Sequence, residues 1–361
     1  MSNLLLNPYR FAPPAPVGPT ITVGNSWTLD NGSAIAKAVI APVSSGSAML
    51  LYSIAGQSGY WRPIDWSSPN WIVGTRQNGL GGNSQAVVAN SSSTVMHAGI
   101  GGGNVYARPM SRTGSWGFTQ GILASLGADS TKVDLANLSS THNVVVCSNG
   151  TSGKLYDLVL AGNWVGAVAG TAWDTGLASS SIPSCAAMSG TQLLIAYKKS
   201  SVGMVMLDEY ASYTWTPAAQ GPISFIGSNV DLLKIRPVSS TVALVAYTVG
   251  GGMYVCPIGL SGSTISAGSP VTMSSTATTD SLELLPVSST VALIFWRDSG
   301  NNNGIVCPIV WTGAAWQKGT EVIYDATGWY PAAALMSPTT VLMVHNHTAL
   351  PYSLVRELTL S

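Results

Sequence analysis

Two stretches of sequence decide the fold: Pro237-Val238-Ser239-Ser240-Thr241-Val242-Ala243-Leu244 and Pro286-Val287-Ser288-Ser289-Thr290-Val291-Ala292-Leu293. In each, a triplet of small polar residues joins two apolar runs, which is typical of a tight turn between strands. Such a triplet occurs seven times and ends at Ser47, Thr94, Thr141, Thr191, Thr241, Thr290 and Thr339. The intervals of 47, 47, 50, 50, 49 and 49 residues indicate a structural repeat.

Each unit repeats the same order of elements around its triplet. In the fifth unit a strand at 231–235 precedes the turn, and a more apolar strand at 242–247 follows it. A glycine-rich loop at 250–252 leads to a third strand at 253–258, and a fourth strand opens with a large side chain. Four strands in every 47 to 50 residues are the signature of a β-propeller blade.

The fourth-strand markers give a second count of the units. They fall 22 to 26 residues after their triplets, at Trp71, Trp116, Trp164, Trp215 and Trp316, with Ile265 in the fifth unit. The seventh unit ends too early to supply one, but Trp27 precedes the first unit. The sequence therefore predicts an all-β chain with one seven-bladed β-propeller at 20–361. In it, strand 20–30 completes the blade formed by 329–361 and removes the exposed sheet edges.

Both the fold and the marker tryptophans have an alternative interpretation. An open β-solenoid or a pair of sandwiches would leave Trp27 unexplained. The marker tryptophans are expected to fill the widening gap between blades, and the alternative is a ring of sugar-stacking pockets. The turn Ser111-Arg112-Thr113-Gly114-Ser115-Trp116 resembles a degraded Asp-box, the hairpin repeat of sialidases and some propeller lectins. Its defining aspartate is missing, so the resemblance implies the fold and not a ligand.

Composition excludes several classes of function. The chain has 361 residues, with 15 Lys and Arg against 15 Asp and Glu, so its formal net charge is zero. Nucleic-acid binding needs clustered positive charge, and the densest pair is Lys198-Lys199. No apolar run is long enough to predict membrane insertion, and the N-terminus does not read as a signal peptide. We expect the four cysteines to be free thiols, with Cys256 and Cys307 in the core.

A catalytic site is not expected. The carboxylates are few and scattered, as with Asp30, Asp129 and Asp280, whereas glycoside hydrolysis usually needs a placed pair. The adjacent Asp208 and Glu209 should point to opposite faces of a strand. The sequence therefore assigns no catalytic residue and no cofactor.

The histidines do not predict a metal site. His345 and His347 share one strand face, but their unit offers no third ligand, so we expect solvated loop histidines. His97 and His142 are expected to be packed and hydrogen-bonded.

The first 19 residues stand outside the repeat. Prolines at positions 8, 13, 14, 16 and 19 predict an extended, semi-rigid arm. Its tip is apolar, with the candidate partner-anchoring residues Leu4, Leu5, Leu6, Tyr9 and Phe11. We expect this tip to dock on another protein, and the alternative is that it folds back on its own propeller.

The segment Asn3-Leu4-Leu5-Leu6-Asn7-Pro8-Tyr9-Arg10-Phe11 is similar to the N-termini of structural proteins of tailed bacteriophages. This resemblance implies a head or tail appendage or decoration protein, made in the bacterial cytoplasm and located in the virion. It implies that residues 1–19 bind other virion proteins and that the propeller is displayed, with host-surface glycans as the candidate ligand. Neither nucleic acid nor a membrane is an expected partner.

Two classes of function remain: a non-enzymatic virion protein and a free soluble propeller lectin. A glycan-active hydrolase is a third, less favoured alternative. The arm favours the virion protein, because a free lectin does not need one. The loops between second and third strands also favour it. They differ from unit to unit, as in residues 198–200 and 297–299, whereas a multivalent lectin should repeat its polar residues.

Overall fold

The computed structural model describes residues 18–30, 35–54, 59–79, 84–114, 117–127, 132–148, 152–161, 164–175, 183–211, 214–347 and 353–361. These residues form seven antiparallel sheets, each in the order of a propeller blade. The innermost strands of neighbouring blades contact each other around the whole ring. The predicted all-β, seven-bladed propeller is confirmed.

The first strand along the chain and the first three blades have the following strands. Strand β1 (Ile21–Asp30) belongs to the last blade. Blade 1 contains β2 (Ile35–Ser44), β3 (Ser47–Ile54), β4 (Gly59–Ser67), β5 (Asn70–Val73) and β6 (Gln77–Asn78). Blade 2 contains β7 (Gln85–Ala89), β8 (Thr94–Gly101), β9 (Asn104–Arg112), β10 (Phe118–Gln120) and β11 (Ala124–Gly127). Blade 3 contains β12 (Lys132–Ser139), β13 (His142–Ser148), β14 (Ser152–Ala161) and β15 (Trp164–Thr175).

The remaining four blades follow the same plan. Blade 4 contains β16 (Ser184–Ser189), β17 (Gln192–Lys199), β18 (Val202–Ala211), β19 (Thr214–Pro217) and β20 (Ile223–Ile226). Blade 5 contains β21 (Leu233–Pro237), β22 (Val242–Val249), β23 (Gly252–Ser261), β24 (Thr264–Ala267) and β25 (Val271–Ser274). Blade 6 contains β26 (Ala277–Ser288), β27 (Val291–Asp298), β28 (Gly304–Trp311), β29 (Trp316–Lys318) and β30 (Val322–Asp325). Blade 7 contains β31 (Gly328–Ser337), β32 (Thr340–His347), β33 (Ser353–Leu360) and β1.

One serine shapes the turn after the innermost strand of every blade. Its hydroxyl accepts a hydrogen bond from the backbone N–H two residues later, at 3.2–3.4 Å, in Ser44, Ser91, Ser139, Ser189, Ser239, Ser288 and Ser337. Such local bonds favour turns over continued strands. The serines also correct the sequence alignment, because Gly46 and Ser93, rather than Ser47 and Thr94, occupy the place of Thr141 in the first two blades.

The ring is closed by a strand from the start of the chain. Strand β1 pairs antiparallel with β33, with Trp27 opposite Val355, and so completes blade 7 as predicted. Thr20 and Ser361 exchange two backbone hydrogen bonds of 2.8 and 3.0 Å. Residues 1–17 lie outside the described residues, so the division of the chain at residue 19 stays a prediction.

The apolar cores lie between the blades. Each core packs the second strand of one blade against its neighbour, and six of the eight residues of β22 are fully buried. Trp71, Trp215, Ile265 and Trp316 are also buried in these cores, as expected for gap-filling markers. Trp116 and the side chain of Trp164 lie outside the described residues.

In blades 1, 2, 5 and 6 a proline of the third strand lies opposite the break between the two pieces of the fourth strand. Pro63, Pro109, Pro257 and Pro308 each accept a backbone hydrogen bond from a glycine between those pieces. A Cβ on Gly74, Gly268 or Gly319 would lie 2.5–2.7 Å from the proline ring, so only glycine fits. The thiols of Cys256 and Cys307 donate to the carbonyls of these glycines, and all four cysteines are free.

Candidate functional site

The seven innermost strands enclose a cavity of about 560 Å³ along the axis of the ring. This volume lies within the usual range for small-molecule sites, roughly 300–1,000 Å³. The described lining carries six charged side chains: Lys37, Lys132, Lys234, Arg236, Asp134 and Glu283. The ring therefore gathers charge from blades 1, 3, 5 and 6 of a chain in which only 8% of the residues are charged.

Asp134 and Arg236 form the best-connected group in the cavity. Arg236 Nη1 lies 3.0 Å from Asp134 Oδ2, which also accepts from Ser184 Oγ at 2.6 Å and from the Cys185 N–H at 3.0 Å. Burial alone would raise the pKa of Asp134, but the charges of Arg236 and Lys234 hold it below its usual value. The group thus ties blades 3, 4 and 5 together through one ionised carboxylate.

The three lysines of the cavity differ in whether they form an ion pair with a carboxylate. Lys234 Nζ donates to Glu283 Oε2 at 3.0 Å, across the contact between blades 5 and 6. Among the described residues, no carboxylate forms an ion pair with Lys37 or Lys132. Desolvation and the like charges of Lys132 and Lys234 lower the pKa of Lys37 to about 8. This end of the cavity therefore holds unbalanced positive charge.

A second candidate site lies at the third-strand ends of three blades. One position of the repeat is aromatic in these three blades and is occupied by Trp66, Tyr210 and Trp311. Each of the three backbone N–H groups donates to the carbonyl of the residue two positions after a turn serine, which shows that the positions are equivalent. Each ring pairs with the buried marker of its own blade, at centroid distances of 5.3 Å (Trp66 and Trp71), 5.0 Å (Tyr210 and Trp215) and 5.8 Å (Trp311 and Trp316). Trp66 is 42% exposed and Trp311 38%. In each pair, the buried marker side chain thus packs behind an aromatic side chain that is partly exposed to solvent.

A charged group adjoins the aromatic pair of blade 1. Glu357 Oε2 of blade 7 accepts from Trp71 Nε1 at 2.5 Å. Asp65 precedes Trp66 on β4 and points to the opposite face, where it binds Arg112 of blade 2 at 3.0 Å. Glu209 precedes Tyr210 on β18 and points to the opposite face, where it accepts from Ser263 Oγ at 2.7 Å and from Gln192 Nε2 at 3.2 Å. Aromatic faces next to charged hydrogen-bonding groups are a common arrangement for ligands that have both apolar and polar faces.

The two candidate sites lie on opposite faces of the ring. Lys37 and Lys132 stand seven residues before the turn serines Ser44 and Ser139, near the start of their strands. The aromatic pairs lie beside the turns where those strands end. Seven residues of extended strand span roughly 23 Å.

The structure corrects the expectation for His345 and His347. They share a strand face as predicted, but they are not solvated loop residues, because both face Asp325 of blade 6 from within β32. His345 is 1% exposed and its Nε2 lies 3.0 Å from Asp325 Oδ2. Burial opposes it, but hydrogen bonds from His345 and the Thr327 N–H lower the pKa of Asp325 to about 2.

His97 also departs from expectation. It is fully buried as predicted, but neither ring nitrogen has a hydrogen-bond partner among the described residues. Burial, with the nearby charge of Arg108, lowers the pKa of His97 to about 3. His142 is packed against Tyr210 and hydrogen-bonded to Asp157, as predicted.

Asp208 and Glu209 point to opposite faces of β18, which agrees with the sequence. Asp208 is buried, its Oδ1 has no partner among the described residues, and burial raises its pKa to about 7. The described parts of the chain contain no group of three His, Cys, Asp or Glu side chains that could hold a metal. They also contain no helix that is long and apolar enough to cross a membrane.

Several predicted residues cannot be placed. The partner-anchoring residues Leu4, Leu5, Leu6, Tyr9 and Phe11 lie outside the described residues, as do Asp129 and the side chains of Asp30 and Asp280. The charged cavity was not predicted. Its sequence signal is a charged residue three, five or seven positions before a turn serine, which is visible only once those serines are aligned.

No protein-family model matches the chain, and no curated protein does so. Solved structures match it in fold. A putative 6-phosphogluconolactonase from Bacteroides fragilis is 11% identical, with a TM-score of 0.59 over 86% of this chain and 93% of that one. A mutant Aleuria aurantia lectin in complex with Fucα1-6GlcNAc is 15% identical, with a TM-score of 0.52 over 82% and 98%. SapL1 lectin in complex with α-methyl fucoside is 13% identical, with a TM-score of 0.52 over 82% and 98%. At these identities the likeness shows a β-propeller fold alone.

Proposed function

We propose that the chain is a non-enzymatic carbohydrate-binding propeller that holds sugars at the aromatic pairs of blades 1, 4 and 6. The observation that carries the proposal is the recurrence of Trp66, Tyr210 and Trp311 at one position of the repeat, each backed by a second ring. The C–H face of a sugar packs on such a ring, and its hydroxyls bond to polar groups on the same face, such as Glu357 beside Trp71. Two of the structural neighbours are lectins in complex with fucose-containing ligands, which also supports a carbohydrate ligand.

A glycan array tests this proposal. We expect the wild-type protein to retain a defined set of glycans and the Trp66→Ala and Trp311→Ala variants to bind them about tenfold more weakly, since a stacked ring contributes roughly 1.5 kcal/mol. Ile122→Ala is the matched control, because Ile122 is exposed and lies between β10 and β11 of blade 2, which has none of the three pairs. Absence of glycan binding, or equal binding by all variants, would contradict the proposal.

We further propose that residues 1–19 attach this propeller to other proteins of a tailed-phage virion, so that it meets host-surface glycans. The support is the apolar tip of the arm and its similarity to the N-termini of phage structural proteins. Changing Leu5, Tyr9 and Phe11 together to Ser should abolish co-sedimentation of the protein with virions while its melting temperature stays unchanged. Full incorporation of the triple variant would favour the free lectin or attachment through a propeller face.

A further inference from the structure

The axial cavity carries more positive than negative charge. Its described lining has four cationic and two anionic side chains, whereas the whole chain is neutral. Two of the cations are paired, Arg236 with Asp134 and Lys234 with Glu283. The excess therefore resides in Lys37 and Lys132, which approach each other from blades 1 and 3.

Stability alone does not explain these two lysines. Lys37 is exposed and Lys132 half-buried, yet desolvation in the cavity and the like charge of Lys132 lower the pKa of Lys37, so holding the two ammonium groups close together is unfavourable. At the same position of the repeat other blades have the uncharged residues Ser84, Leu232, Ser281 and Tyr330. An unfavourable group that the fold does not require is characteristic of a binding site.

We propose that the lysine end of the axial cavity binds a small molecule through a carboxylate or phosphate group held between Lys37 and Lys132. An ammonium group donates up to three hydrogen bonds, so two lysines can satisfy most of the oxygens of such an anion. The positive charge and the N–H donors of the two ammonium groups match an anionic group, and the cavity of about 560 Å³ admits a ligand of sugar size. The site lies on the face opposite the aromatic pairs and does not depend on carbohydrate binding there.

The experiment measures ligand-induced shifts of melting temperature, followed by calorimetric titration. Four probes are compared at constant ionic strength: inorganic phosphate, glucose 6-phosphate, glucuronate and uncharged glucose. We expect saturable stabilisation by at least one of the three anions and none by glucose, because a ligand that binds only the folded state raises its stability. Stabilisation by glucose 6-phosphate alone identifies a phosphate ligand, and stabilisation by glucuronate alone identifies a carboxylate ligand.

Variants assign the effect to the cavity. Lys37→Met and Lys132→Met keep the aliphatic stem and remove the charge, so each should weaken anion binding about tenfold or more. Lys318→Met is the matched control, since Lys318 lies on the outer strand β29 and pairs with Glu321. Melting of each variant without ligand verifies that it folds. The inference is overturned if no anion gives a saturable shift, if glucose matches the anions, or if both cavity variants bind as well as the wild type.

Discussion

Blade 5 and blade 7 have the same four-strand plan but are held together differently. Blade 5 is one continuous stretch of chain, whereas blade 7 takes its outer strand from the start of the sequence. Blade 5 has Tyr247, Cys256 and Pro257 at three equivalent positions, where blade 7 has His345, Arg356 and Glu357.

The charged residues of blade 7 bond to both neighbouring blades. His345 and Arg356 lie 3.0 and 3.6 Å from Asp325 of blade 6, and Glu357 accepts from Trp71 of blade 1. The difference teaches that the blade completed from the far end of the chain adds partly or fully buried charged contacts to both neighbours at positions where blade 5 has uncharged side chains.

The largest expected effect comes from removing the strand that closes blade 7. Deletion of residues 1–30 removes β1, leaves the edge of β33 unpaired and should destroy folding. Deletion of residues 1–17 removes no described strand and should leave the ring intact. Circular dichroism and thermal melts of both truncations measure the contrast, and equal stability would refute closure by the N-terminal strand.

The next effect concerns Asp325, whose counterpart in blade 5 is Ser274. Each accepts a hydrogen bond from the N–H two residues later, but only Asp325 also faces histidine and arginine. Asp325→Ala should lower the free energy of unfolding by about 3–5 kcal/mol, because it leaves buried partners unpaired. Ser274→Ala should cost less than about 1.5 kcal/mol.

The Asp325 effect should depend on pH. Because the folded-state pKa of Asp325 is lowered to about 2 from an ordinary 3.8, its stabilisation is present above pH 3.8 and is lost as the pH falls towards 2. Urea unfolding of wild type and Asp325→Ala across this range measures the loss. A difference that stays constant down to pH 2 would show that Asp325 does not act through its charge.

The third expected effect concerns the stability contribution of His97 in blade 2. At the position of His97 the other six blades have Leu50, Val145, Ile195, Val245, Ile294 and Met343. With the pKa of His97 lowered to about 3, the unfolded chain binds a proton below pH 6.5 that the folded protein does not. His97→Ile should therefore gain stability over wild type by about 1.4 kcal/mol for each pH unit below 6.5.

Val245→Ala in blade 5 is the control for His97→Ile. It removes buried methyl groups and no titratable group, so its cost should be equal at pH 7 and pH 4. Chemical denaturation at both pH values gives the two differences. A gain from His97→Ile that does not change with pH would contradict protonation as its cause.

The smallest effect tests the packing of glycine on proline in blade 5. Gly268→Ala places a methyl group 2.7 Å from Pro257 Cγ and should cost about 1–3 kcal/mol. Blade 4 has Leu207 and Ala218 at these two positions, so adding Pro257→Leu should recover part of the loss. A double-mutant cycle measures the coupling, and additive effects would show that the two residues do not constrain each other.

The seven-bladed fold could be predicted from the sequence because the turn serines and the marker tryptophans recur from unit to unit at nearly constant spacing. The sequence was not sufficient for the charged groups, since their partners come from different blades. Spacing placed His345 and His347 on one face, but Asp325 reaches them from the end of β30 in blade 6. Lys37 and Lys132 are 95 residues apart in the sequence and become neighbours only when the ring forms.

The paired backbone bonds between Thr20 and Ser361 make the propeller a candidate for circular permutation. A short linker between these residues would close the ring covalently at the place where hydrogen bonds now close it. New chain ends would then fit at any serine turn, such as Ser239–Thr241, because these turns are exposed and alike. Each permuted chain would make a different blade the one that is completed by a strand from the far end of the sequence.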